Sequence, residues 1–65
     1  MYYCLGNEDG GNKEAFDALD NAFGAKEFTL SEATVIVQNA LYIKELEASR
    51  VVRGLVKSGT IKEAE

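Results

Sequence analysis

Apolar residues recur along this chain in three stretches at helical spacing, separated by short polar or glycine-containing segments. In the first, Ala15, Phe16, Leu19, Ala22 and Phe23 share a face while Asp17, Asp20 and Asn21 point elsewhere, which predicts a helix from about Lys13 to Phe23. Asn12 is placed to cap it, Glu14 in the first turn suits the helix dipole, and Gly24 is a natural stop. In the second stretch, Ala33, Ile36, Val37, Ala40 and Leu41 keep the three-four spacing behind Ser31, the expected N-cap, with Glu32 in the first turn. The run Thr34-Val35-Ile36-Val37 also suits a strand, being β-branched, but periodicity held over two turns favours the helix. The third stretch predicts a helix from about Glu47 to Ser58, with Ala48, Val51, Val52, Leu55 and Val56 inward and Gly59 ending it.

The connecting segments carry the remaining elements. Met1 to Leu5 has the aromatic content of a short strand and stops at Gly6-Asn7-Glu8-Asp9-Gly10-Gly11-Asn12, a loop dense in glycine and small polar residues. Glu27-Phe28-Thr29-Leu30 alternates polar and apolar, as a very short strand or an extended lead into the second helix. Tyr42 to Leu46 contains neither glycine nor proline, so it either prolongs the second helix or turns. Thr60 to Ala64 suits a short final strand, with Thr60 and Lys62 on one side and Ile61 and Glu63 on the other, and Tyr2 to Leu5 is available to pair with it. The expected fold is mainly α with a small β component, in one domain spanning residues 1–65.

A chain of 65 residues is near the lower limit for folding alone, because it buries only about 60% of the surface its unfolded form exposes. Its core must be compact and apolar throughout, or a homodimer must extend it. Cys4 is the only cysteine and histidine is absent, so there is no disulfide framework and no zinc ligand set. No cofactor or metal is expected. Tyr2-Tyr3-Cys4-Leu5 is too short for a signal-peptide core and no apolar run approaches a membrane span, so a soluble, cytoplasmic protein is expected.

Charge changes the picture further. A net charge of -4 argues against a generic nucleic-acid coat, yet the distribution is uneven. Through residue 39, Lys13 and Lys26 stand against seven carboxylates; beyond it, Lys44, Arg50, Arg53, Lys57 and Lys62 outnumber Glu45, Glu47, Glu63 and Glu65. Other chemistry is thin. Glu8, Asp9 and Asn12 lack the alternation and distal glutamate of a calcium loop. The glycine loop is not followed by the Gly-Lys-Ser/Thr of a phosphate loop. Asp17 and Asp20 read as a solvated face, and Cys4, with no basic neighbour to activate it, is expected to be buried or incidental. The tyrosines Tyr2, Tyr3 and Tyr42 are expected to be partly buried with their hydroxyls at the surface, an exposed aromatic patch being the alternative. With no nucleophile beside a base and no metal site, the chain is expected not to be an enzyme.

The most informative constellation lies on the third helix. Arg50, Arg53 and Lys57 stand at i, i+3 and i+7, which confines them to an arc of roughly 60° opposite the apolar face. Three long cations projecting together suit phosphates or base edges, where arginine bonds guanine bidentately. Ser49, near the helix start, is placed to add a phosphate hydrogen bond. Two residues are out of keeping with this. Gly54 weakens the helix by about 1 kcal/mol relative to alanine, as though to permit a close helix contact or backbone approach. Glu47 stands where phosphates must come near.

Phe28-Thr29-Leu30-Ser31-Glu32-Ala33, followed later by Ala48-Ser49-Arg50-Val51-Val52-Arg53-Gly54-Leu55-Val56-Lys57-Ser58-Gly59-Thr60-Ile61, resembles winged-helix transcription regulators over about residues 12 to 63. The resemblance implies that Ser49, Arg50 and Arg53 lie on a recognition helix and that Thr60 to Glu63 open a wing. It implies a three-helix winged-helix-like domain with a truncated wing, since no second wing strand follows before Glu65. The expected function is DNA binding by a small transcription regulator, with double-stranded DNA as partner and Ser49, Arg50, Arg53, Lys57 and Lys62 as contact residues. The alternative is a protein-protein interaction module on the same scaffold, using the acidic first helix or the tyrosines.

Overall fold

The computed structural model describes residues 1–8 and 10–64; Asp9, weighed above as a calcium ligand, and Glu65 lie outside the described residues. The order of elements is β1 (Tyr3–Leu5), α1 (Lys13–Phe23), α2 (Leu30–Leu41), α3 (Glu45–Ser58) and β2 (Ile61–Glu63). The fold is mainly helical with one small antiparallel sheet, a winged-helix-like arrangement of three helices with a short wing. α2 packs against both α1 and α3.

α1 has the predicted bounds. The Asn12 side-chain oxygen accepts a hydrogen bond from the Ala15 amide at 3.2 Å, and Gly24 closes the helix at φ 57° by donating to the Asp20 carbonyl. Ala15 and Leu19 are fully buried, whereas Ala22 is exposed. In α2, Ala40 is likewise exposed, contrary to its place in the predicted stripe. Both alanines sit in a last turn, where only the longer Phe23 and Leu41 beside them reach the core.

α2 begins one residue before Ser31, because Thr29 and not Ser31 is its N-cap. The Thr29 hydroxyl accepts from the Glu32 amide at 3.1 Å and the Glu32 carboxylate accepts from the Thr29 amide at 2.9 Å. This reciprocal pair needs a carboxylate three residues beyond the cap. Thr29 has one in Glu32, whereas Ser31 would face Thr34. The β-branched run stays helical, with the Thr34 hydroxyl donating back to the Leu30 carbonyl at 2.8 Å. α2 ends at Tyr42, which adopts a left-handed conformation (φ 54°, ψ 44°) so that its amide and that of Ile43 both reach the Gln38 carbonyl. Tyr42 to Lys44 is thus a turn, and α3 starts at Glu45, two residues earlier than predicted, so that Leu46 is already helical.

β1 pairs with β2 in the register Tyr3 to Glu63, Cys4 to Lys62 and Leu5 to Ile61. On its other side Tyr3 exchanges two backbone hydrogen bonds with Phe28, at 2.7 and 2.9 Å. Glu27 to Leu30 therefore contributes one bridge residue, a cap and a helix start. Cys4 does have a basic residue opposite it, Lys62, supplied across the sheet and not along the chain.

The largest fully buried side chains are Phe28, Leu19, Ile61, Val37 and Val52, with Phe23 stacked on Phe28 at 4.6 Å between ring centroids. Each helix also buries one alanine completely, namely Ala15, Ala33 and Ala48. Thr60, expected on the side of Lys62, is buried beneath the glycine loop, its hydroxyl 3.1 Å from that of Ser58. A side chain on Gly10 would collide with both hydroxyls, and its φ of 62° suits glycine as well. The tyrosines also depart from expectation. Tyr42 is 95% exposed and Tyr2 55%, because neither the left-handed helix end nor the chain start aims a side chain at the core. Only Tyr3 is half-buried. No helix among the described residues is long and apolar enough to cross a membrane.

Candidate nucleic-acid interface

α3 is about 21 Å long by its residue count. Ala48, Val52 and Leu55 are fully buried along it, with Val51 and Val56 half-buried beside them. This anchoring fixes the rotation of the helix, so Arg50, Arg53 and Lys57 all face outward and are exposed. Among the described residues no carboxylate stands at ion-pair distance from any of the three; the pairing found is between Lys13 and Asp17 on α1, at 3.4 Å. The row of cations is therefore not consumed by the fold. Lys57, in the last turn, also suits the negative end of the helix dipole.

The other two site residues stand apart from that row. Ser49 is half-buried and lies roughly 100° round the helix from Arg50. It faces α2 across a shallow groove of about 430 Å³, shared with Ser31, Thr34, Val35, Glu45 and Leu46. Lys62 is exposed on β2 and borders a separate recess of about 410 Å³ with Glu8, Gly10, Ser58, Gly59 and Thr60. The structure thus brings together Arg50, Arg53 and Lys57 and leaves Ser49 and Lys62 on flanking surfaces.

The outer face of α3 divides along its length. Its first turn carries Glu45 and Glu47, which suit the positive end of the helix, together with Leu46, which is 67% exposed. The cations begin one turn later. Positive charge is consequently concentrated on the middle and last turns of this face and negative charge on the first. Gly54 is exposed next to the cations, and a side chain built on it meets nothing within 4 Å. The close helix contact expected of it is not made inside the molecule.

Val35 and Leu46 were not among the predicted site residues, and Tyr42 was expected to make contacts only in the protein-binding alternative; the three are the large exposed hydrophobics of α2, α3 and their junction. A signal existed: Val35 and Leu46 both fall outside the apolar stripes of their helices. No cluster of carboxylates and cysteine able to hold a metal ion exists among the described residues. Comparison of the chain with protein-family models, with curated proteins and with solved structures finds no match.

Proposed function

We propose that this chain is the DNA-binding domain of a small regulator, with the middle and last turns of α3 laid against double-stranded DNA. The observation that carries it is the exposed row of Arg50, Arg53 and Lys57, unpaired among the described residues, on the second of two helices joined by a three-residue turn. Cations free of internal partners release the counterions condensed on DNA when they bind it. The overall charge of -4 sharpens the orientation, since acidic faces of the molecule are repelled by the same phosphates. Ser49 and Lys62 flank the row and reach the backbone only if the duplex extends over the groove or the sheet. A homodimer belongs to the proposal as well: two copies present two such helices, and binding stoichiometry reads this out.

A labelled duplex titrated at several salt concentrations tests the proposal. Three phosphate contacts predict that the logarithm of the affinity falls with that of salt at a slope of about -3. In an Arg50→Ala/Arg53→Ala/Lys57→Ala variant, shown folded by circular dichroism, the binding is expected to vanish. A parent that does not bind at low salt removes the DNA proposal.

One observation favours a protein partner instead. Val35 is 53% and Leu46 67% exposed around the α2-α3 groove, with Glu45 as its carboxylate. That lining fits an apolar side chain carried on a segment with a neighbouring cation.

A further inference from the structure

Five of the six glycines answer to something inside the molecule. Gly10, Gly11, Gly24 and Gly59 have positive φ, and a side chain on Gly6 would press on the Thr60 carbonyl at 3.1 Å. Gly54 answers to nothing inside. Its φ is not positive, α3 runs unbroken through it, and a side chain there would point into open space. Glycine is nonetheless among the worst residues for a helix interior. Its position is particular: along the helix it lies one turn beyond Arg50 and one turn before Lys57, and round the helix it is about 40° from Arg50 and about 60° from Lys57, at the edge of the cation row.

From this we infer that Gly54 is a binding position, the point where the partner of α3 closes onto the helix backbone. The inference rests on the DNA proposal above and adds a contact residue that carries no charge. Without a side chain, the helix surface is lower at Gly54 than at its neighbours. A duplex held by Arg50 one turn before and Lys57 one turn after therefore closes onto the helix along that edge of the row. The flanking side chains reach out to phosphates or base edges while the bare backbone between them lets the surfaces meet.

Two substitutions separate this role from a merely tolerated glycine. Gly54→Ala and Gly54→Lys both improve helix propensity, so both variants are expected to unfold at a higher denaturant midpoint than the parent. Gly54→Lys also adds a fourth cation to the face, and by charge alone it should tighten duplex binding. If Gly54 is the point of closest approach, the added side chain holds the surfaces apart, and affinity falls by about tenfold in the lysine variant and less in the alanine variant. The measurement is fluorescence anisotropy of one labelled duplex at low salt with parent and both variants. Weaker binding by the more stable variants supports the inference. Unchanged binding by Gly54→Ala with tighter binding by Gly54→Lys overturns it while leaving the DNA proposal standing. A parent that fails to bind the duplex overturns both.

Discussion

Tyr42 is the residue whose local cost is clearest. A non-glycine residue in the left-handed region is strained by about 1 kcal/mol or more, and here the side chain recovers nothing by burial, being 95% exposed. What the position needs is the backbone shape that lets two amides share the Gln38 carbonyl, and glycine supplies that shape without strain. Tyr42→Gly is therefore expected to raise stability by about 1 kcal/mol, or roughly 4–8 °C in thermal midpoint for a domain of this size. Tyr42→Ala keeps the strain and should leave the midpoint nearly unchanged. Equal midpoints for the glycine and alanine variants in a thermal melt would contradict this account.

At the scale of elements, the sheet makes a prediction about individual amides. In antiparallel pairing, alternate residues turn their amides toward the partner strand. The Gly6 amide donates to the Thr60 carbonyl and the Ala64 amide to the Tyr2 carbonyl, so the intervening Ile61 and Glu63 direct theirs to the outer edge of β2. Tyr3, by contrast, turns its outward amide to Phe28. Hydrogen exchange should show protection at Tyr3, Gly6 and Ala64 and rapid exchange at Glu63. Protection at Glu63 equal to that at Ala64 would mean a shifted register or a strand added at this edge. Helix α2 illustrates the same local precision: the reciprocal bonds of Thr29 and Glu32 contribute about 1 kcal/mol, and they set where the helix starts.

At the scale of the whole molecule, Phe28 joins elements that are distant along the chain. It bridges to β1 through its backbone, precedes the cap of α2, stacks on Phe23 of α1 and is fully buried. Phe28→Ala is expected to remove about 3–5 kcal/mol, comparable to the entire stability that a core of this size supplies. Loss of the helical circular dichroism signal at 25 °C is the expected result, and a cooperative melt close to that of the parent would show that the core closes without this ring. The same smallness bears on function. The core sets Ala15, Ala33 and Ala48 beside Phe28, Leu19, Ile61, Val37 and Val52, so a ligand or partner large in comparison with it meets the outer faces of the molecule, which is where the proposed interface lies.

The sequence by itself determined the three helices, the caps at Asn12 and Gly59, and the outward row of Arg50, Arg53 and Lys57. Each of these depends on residues within about one turn of one another, where the 3.6-residue period and capping chemistry leave few alternatives. The Thr29-to-Glu32 spacing is equally local and marks Thr29, and not Ser31, as the cap of α2. Only the tertiary structure decided that β1 lies between Phe28 and β2, that Ser49 turns toward α2 away from the cations, and that Thr60 is buried under the glycine loop. The same holds for Gly54, whose lack of any neighbour is a property of how α3 packs. These outcomes depend on which surfaces meet across the chain, and local periodicity specifies that a face is apolar without specifying its partner.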